Sequence, residues 1–463
     1  MYYPRLIDKA LAEWKLTPVR KPLLIRGARQ VGKSSAIRHL GETFSKFVEI
    51  NFEKEPKLRE LFRSDLSVER IVSQLSAIKG LVITPGDTLL FFDEIQACPE
   101  AIMSLRFFKE DMPLLHVVGA GSLLEFALAE LPTYGVGRIH SLFMYPMTFD
   151  EFLVAEGQSL LLEMRNKGME EMRLSEAVHD RVIDYFRSYL MVGGMPEVVK
   201  KWVEQHNYSI CQQIQEDILL GYQDDFPKYR KRVDPGALRI VLRSVALQTG
   251  SKFTYSEVGG GFSSSEIKKA LELLILAGIC IPVIRCAGNG VPLGAQAEYN
   301  DRKILMLDNG LMLRLLGMEN MDVTTAITSI LTSTPEELVN RGPLAEMIAG
   351  LELLRYSTPN IRHEIFYWQR EARNAQAEID YLTSHANTVY PIEVKSGTRG
   401  GMKSLWIFMR EKHLTEGIRM SLENFGTFEY IDEKAEGVIR IVSICPLYAV
   451  SQLPILLNKR YVK

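Results

Sequence analysis

PLLIRGARQVGKS, residues 22–34, decides how the chain starts to fold. An apolar run fit for a buried strand leads into G-x-x-x-x-G-K-S and then into residues with helical spacing, the context a Walker A loop needs. Gly27 and Gly32 permit the backbone turns that aim N–H groups at phosphate oxygens, and the helix beginning near Lys33 adds its positive dipole end. On this reading Gly27, Ala28, Arg29, Gln30, Val31, Gly32, Lys33, Ser34 and Ser35 form a nucleotide cradle. Lys33 is expected to reach the β- and γ-phosphates of ATP, and Ser34 to ligate Mg²⁺.

Working outward, TLLFFDE at 88–94 is a buried apolar strand ending in two acids, the Walker B pattern. Asp93 is expected to hold Mg²⁺ through water, and Glu94 to polarise the attacking water. LLHVVGAGS, from Leu114, delivers Ser122 to the carboxyl end of a third strand, where ligands of parallel α/β sheets sit. Ser122 is either a sensor of the γ-phosphate or the N-cap of the following SLLEFALAEL, and both roles are compatible. Arg138, in PTYGVGRIHSLFMYPMTFDEF, is either an arginine finger or nucleotide sensor, or a salt-bridged surface residue. Arg106, on the helix after Walker B, is a weaker candidate for the same role.

The wider composition bounds the rest. A chain of 463 residues exceeds a single small module, and 46% hydrophobic with 24% charged residues is the balance of a folded soluble protein. Lys+Arg 55 against Asp+Glu 57 gives −2, so any basic nucleic-acid surface must be local. Five cysteines, at 98, 211, 280, 286 and 445, are odd in number and include no C-x-x-C pair, which predicts reduced thiols rather than a disulfide framework or zinc site. MYYPRLIDKALAEWK lacks the basic-then-apolar order of a signal peptide. The longest apolar run, Leu273 to Ile284, is too short to span a membrane and contains Pro282. These features predict a cytoplasmic protein with no membrane segment.

RGARQVGKS, LLFFDEIQ, GAGS, GVGRI and YPMTFDEF, followed by GGMPEVV at 193–199, occur in that order. Together they resemble the bacterial and archaeal AAA+ ATPases that carry a carboxyl-terminal domain of unknown function. The resemblance implies an α/β multidomain chain: a P-loop AAA+ parallel-sheet core over 1–150, a helical lid and connector over 151–235, a winged-helix-like region over 236–318, and a PD-(D/E)xK restriction-endonuclease-like α/β domain over 335–450. It names an architecture better than a biological task.

In the middle of the chain, Glu151 to about Arg232 is rich in Leu, Met, Glu, Arg and Gln at helical spacing, broken at Gly193-Gly194 and Pro196. Ser263 and Glu266 form a capping box, with Ile267, Leu271, Leu274 and Ala277 on one apolar stripe. ICIPVIR, a Gly-Asn-Gly turn and KILMLD then read as a β-hairpin, so helix and wing together suggest a winged helix. Lys268 and Lys269 would meet phosphates if that helix entered a DNA groove, or are solvated lysines. ENMDVTTAITSILTSTPEEL reads as the linker that follows, and KYRKR at 228–232 as a local basic stretch.

Further on, PLAEMIAGLELLRY from Pro343 reads as an amphipathic helix, and FYWQR, AEIDYLT and YPIEVKSG as three strands. Asp380 followed thirteen positions later by Glu393-Val394-Lys395 fits the D-x(n)-E-x-K arrangement of restriction-endonuclease-like nucleases. Two carboxylates on adjacent strands can hold Mg²⁺ at a scissile phosphate, and a lysine two residues past Glu393 shares its face and can orient water. The resemblance adds Glu346 as a further ligand or support. A Glu393–Lys395 surface pair on an edge strand is the alternative.

Two functions therefore compete: an ATP-driven switch controlling a Mg²⁺-dependent nuclease acting on nucleic acid, DNA more than RNA, and a nucleotide-dependent binding or signalling protein whose nuclease-like domain is inactive. A transporter or motor is disfavoured by the lack of a membrane segment. An arginine finger acting in trans would call for a homo-oligomer or a partner protein.

Overall fold

The computed structural model describes residues 2–131, 137–229, 232–317, 341–370, 377–397 and 401–458. The linker read at 319–338 and residues 230 and 231 of the KYRKR stretch lie outside the described residues. The described chain forms two compact units. One runs to Pro146 and takes in Leu276–Gly278 and Thr358–Arg362, and the other begins at Met147.

The first unit is built on strands β1 (Leu23–Arg26), β2 (Lys46–Asn51), β3 (Thr88–Asp93), β4 (His116–Ala120) and β5 (His140–Phe143). They pair in parallel in the order β2-β3-β4-β1-β5. Every residue of β3 is buried, which is why TLLFFD has no polar alternation: a parallel sheet covered on both faces has no solvent side to mark. Phe52, Phe62, Phe92 and Phe108 form a chain of ring contacts on one face, with centroids 5.4–5.9 Å apart. The amino-terminal helix Leu6–Leu16 buries Ile7, Ala10, Leu11 and Trp14, one stripe at spacing three and four. Because β4 lies between β1 and β3, the loops leaving all three strands open at one carboxyl edge of the sheet.

The second unit carries strands β6 (Cys280–Cys286), β7 (Ala297–Met306), β8 (Ile365–Arg370), β9 (Ala377–His385), β10 (Thr388–Val394), β11 (Glu416–Ser421), β12 (Gly426–Asp432) and β13 (Val438–Pro446). They form one mixed sheet in the order β12-β13-β11-β10-β9-β8-β6-β7. Helices Phe149–Ala155, Ser159–Glu171, Glu176–Val192, Pro196–Gln205 and Tyr208–Asp225 belong to this unit. The region read as a lid is thus helical, and its helices Ser159–Glu171 and Glu176–Val192 pack against Leu447–Gln452, the segment that follows β13. Fully buried Arg165 pairs with Asp150 and donates to the Tyr448 carbonyl at 2.8 Å.

The capping box forms as its sequence predicts: Ser263 N donates to Glu266 at 2.9 Å and Glu266 N to Ser263 Oγ at 3.3 Å. The hairpin after it differs from a free wing. β6 pairs with β7 antiparallel, and its other edge pairs with β8 in parallel through Val283, Ile284 and Arg285 opposite Ile365, Phe366 and Tyr367. A hairpin with Val283, Ile284 and Cys286 buried cannot leave that edge in water without exposing unpaired backbone and apolar surface, so it extends the carboxyl-terminal sheet. All five cysteines are free and buried. Among the described residues no helix is long and apolar enough to cross a membrane.

Candidate active sites

The cradle after β1 is shaped by its backbone. Gly27 sits at φ +145°, where a Cβ would lie 2.1 Å from the Met144 carbonyl oxygen, and Gly32 at φ +98° starts the helix Lys33–Gly41. Gln30 takes a left-handed φ of 65° without being glycine. Val31 and Ala28 are buried, while Arg29, Gln30 and Ser35 are exposed. Buried Lys33 donates from Nζ to the carbonyls of Gly27 (2.9 Å) and Ala28 (2.6 Å). Burial pushes its ammonium down to about 8, with Glu94 and Asp93 opposing. A desolvated amine resting on two neutral carbonyls fits a site built to receive phosphate oxygens.

Ser34 Oγ donates to Asp93 Oδ1 at 2.8 Å, so the hydroxyl and carboxylate expected at Mg²⁺ already meet. Asp93 Oδ2 accepts from Asn51 Nδ2 at 3.0 Å, and burial raises the Asp93 carboxyl. Glu94 Oε2 accepts from Gln96 Nε2 (2.6 Å), Ser122 N (3.2 Å) and Ser122 Oγ (3.3 Å). Ser122 therefore faces Glu94 and does not cap the next helix, which starts after Leu123 with no side-chain cap. Arg138 is exposed and pairs with Glu110, matching the salt-bridged alternative, and Arg106 lies over the Phe107 ring. Arg5 ties the cradle to the chain just after β5, donating to the carbonyls of Val31 (3.0 Å) and Tyr145 (2.7 Å).

The second constellation lies in the mixed sheet. Glu346, on the helix Arg341–Arg355, and Glu378 and Asp380, on β9, bring carboxylate oxygens within 4.8 Å of one another. Asp380 Oδ2 accepts from Val394 N of β10 at 2.7 Å. On β10 and just past it, Lys395 Nζ donates to Glu393 Oε1 at 2.5 Å, while the buried Glu393 Oε2 has no hydrogen-bond partner among the described residues. Burial first, and then the Asp380 charge, push Glu393 up to about 7. Burial pushes Glu346 up to about 8 against the pull of Lys303, and burial raises Asp380. Glu346, Glu378 and Asp380, crowded this closely, could hold a hard divalent cation such as Mg²⁺, and Glu393 adds a buried oxygen without a partner among the described residues. Lys303 of β7 joins the cluster, its Nζ 2.7 Å from Glu346 Oε1 and paired with Glu378.

Residues 19–153 match the family model described as AAA domain. The amino-terminal unit carries an AAA-type P-loop ATPase domain. Residues 183–322 and 341–434 match two models described as domains of unknown function, DUF8612 and DUF4143. Among solved structures, the Walker-type ATPase PABY2304 of Pyrococcus abyssi is similar over 68% of this chain and 96% of its own, at 16% identity and a TM-score of 0.45. RuvB of Thermotoga maritima is similar over 59% and 87%, at 14% identity and 0.30. A structure of Drosophila ORC bound to DNA is similar over 71% and 95%, at 12% identity and 0.26. No curated protein matches the chain in sequence.

Around the ATPase cradle the fold gathers Lys33, Ser34, Asp93, Glu94 and Ser122 from three strand ends, leaving Arg138 and Ser35 at the surface. Asn51, Gln96 and Arg5 escaped the sequence reading. Asn51 ends β2 beside Asp93, so a polar residue closing the neighbouring strand was its available signal. At the second constellation, Asp380, Glu393, Lys395 and Glu346 come together, and Glu378 and Lys303 join them. Glu378 carried a signal, because it lies two positions before Asp380 on one strand face.

Proposed function

We propose that the chain is a Mg²⁺-dependent ATPase whose nucleotide state governs a second, nuclease-type Mg²⁺ site acting on nucleic acid, DNA more than RNA, in the cytoplasm. Gly27 to Ser35 would hold the ATP phosphates, Lys33 would leave its loop carbonyls for the β- and γ-oxygens, and Ser34, with Asp93 through water, would hold the metal. Bound Mg²⁺ would supply charge neutralisation on the phosphates. Glu94, released from Gln96 and Ser122, takes the proton of the attacking water. Arg138 acts only if a second copy or a partner protein presents a nucleotide to it.

The observation that supports the nuclease reading is the meeting of Glu346, Asp380 and Glu378 beside Glu393 and Lys395, with the Glu393 Oε2 atom unpartnered. Glu346, Asp380 and Glu393 would hold Mg²⁺, and Lys395 would orient water at the phosphate. One observation favours the second reading, a binding or signalling protein with an inactive domain: the Lys303 ammonium already neutralises part of the acidic cluster.

The test is one panel of purified wild type, Glu94→Gln and Asp380→Ala, assayed for ATP hydrolysis and for cleavage of plasmid, single-stranded DNA and RNA with Mg²⁺ under ATP or ADP. Glu94→Gln is expected to bind ATP and lose at least about 100-fold in hydrolysis. Asp380→Ala is expected to hydrolyse ATP and lose cleavage. Absence of cleavage on every nucleic acid with either nucleotide would leave the binding reading.

A further inference from the structure

Lys303 is the least expected member of the carboxylate cluster. It comes from β7, outside the segment that supplies Glu346, Glu378, Asp380, Glu393 and Lys395. Its side chain is fully buried, its Nζ meets Glu346 Oε1 at 2.7 Å and Glu378, and it lies 5.2 Å from the centre of the Tyr367 ring. A buried ammonium is costly unless paired, and here one partner, Glu346, is a proposed metal ligand and the other, Glu378, lies in the same carboxylate cluster. The position between Glu346 and Glu378 is thereby filled by a cation that the chain carries itself.

The charges add up in a specific way. Glu346, Glu378, Asp380 and Glu393 contribute four negative charges when ionised, and Lys303 and Lys395 return two positive ones. Two negative charges remain, the complement of one divalent ion, and the buried Glu393 Oε2 has no hydrogen-bond partner among the described residues. We propose that Lys303 is a positioning residue of the carboxylate site: its ammonium holds Glu346 and Glu378 in place and limits how tightly the site takes a divalent metal. This inference rests on the reading of Asp380 and Glu393 as metal ligands.

The experiment measures Mn²⁺ binding to the full-length protein without nucleotide, by the free-ion signal in electron paramagnetic resonance. Asp380→Asn defines the site, since Mn²⁺ held at Asp93 survives that change and is subtracted. Lys303→Gln, which keeps hydrogen-bonding groups but no charge, is expected to bind Mn²⁺ at least tenfold more tightly at the Asp380-dependent site. Lys303→Arg is expected to stay near wild type. Glu378→Gln, on a partly exposed strand position, keeps the test open if Lys303→Gln fails to fold, and is expected to weaken binding severalfold. Wild-type binding that neither Lys303→Gln nor Glu378→Gln alters would overturn the role of Lys303 and leave the metal site standing. No Asp380-dependent Mn²⁺ in wild type or in any variant would overturn both.

Discussion

At the scale of single residues, burial sets the behaviour of several ionisable groups. His116, 3% exposed on β4, lies edge-on to Trp14 and Phe44 and meets the Lys15 carbonyl through Nε2 at 3.2 Å. A carbonyl only accepts, so Nε2 carries the proton, and the buried Nδ1 has no partner among the described residues to welcome a second. Burial accordingly pushes the imidazole down to about 4. The unfolded chain takes up this proton near pH 6.5, so between 6.5 and 4 the unfolded state binds more protons than the folded one. Stability of the amino-terminal unit should therefore fall as pH drops through that window, by at most about 3 kcal/mol, and the loss should level off below pH 4. Urea midpoints from pH 7 to 5 should show His116→Gln losing less stability on acidification than wild type. Equal pH dependence would remove His116 from the account.

At the scale of elements, the loop between β1 and the helix Lys33–Gly41 depends on how closely β1 approaches the chain after β5. Met144 N donates to the Arg26 carbonyl at 2.8 Å, and this fixes the Met144 oxygen against Gly27. Gly27→Ala would set its Cβ 2.1 Å from that backbone oxygen, which has no side-chain freedom with which to yield. We expect it to destabilise the unit by at least about 2 kcal/mol and to abolish the thermal shift given by ATP. Gly86 makes the control: its φ is +91° but nothing lies within 4 Å, so Gly86→Ala should cost only about 1–2 kcal/mol of conformational strain and keep the ATP shift. Similar ATP responses in both variants would argue against the steric role of Gly27.

At the scale of the whole carboxyl-terminal unit, one buried polar network joins distant parts of the chain. Arg355 donates to the Tyr189 hydroxyl at 2.6 Å and to the Leu307 carbonyl at 2.8 Å, and pairs with Glu352 and Asp308. Asp308 accepts in turn from Gly194 N at 2.7 Å. Helix, glycine loop, hairpin end and the helix bearing Glu346 are held by one set of buried charges. Arg355→Met leaves two carboxylates without their cation and should cost about 3–5 kcal/mol in unfolding experiments on this unit. Adding Glu352→Gln should recover part of that loss, because one of the stranded charges is removed. A double variant no more stable than the single one would show that Arg355 acts through packing.

The sequence by itself determined the features whose signals are local. An apolar strand, two glycines and Lys33-Ser34 specify the cradle; an unbroken apolar run ending in Asp93 specifies β3; and period-two strands place Asp380, Glu393 and Lys395 in one segment. The capping box at Ser263 and Glu266 was equally legible, since both partners lie within one helical turn. Only the tertiary structure decided which distant elements share a surface. β6 and β7 read alone as a wing because a hairpin's alternation looks the same whether its outer edge meets water or another strand, and pairing with β8 settles that through burial and backbone satisfaction. Lys303 stands 43 residues from Glu346 and 75 from Glu378, and no spacing rule links residues so far apart. In the sheet order β6 and β8 stand between β7 and β9, so even strand pairing does not announce their meeting, which the packing of the whole unit decides.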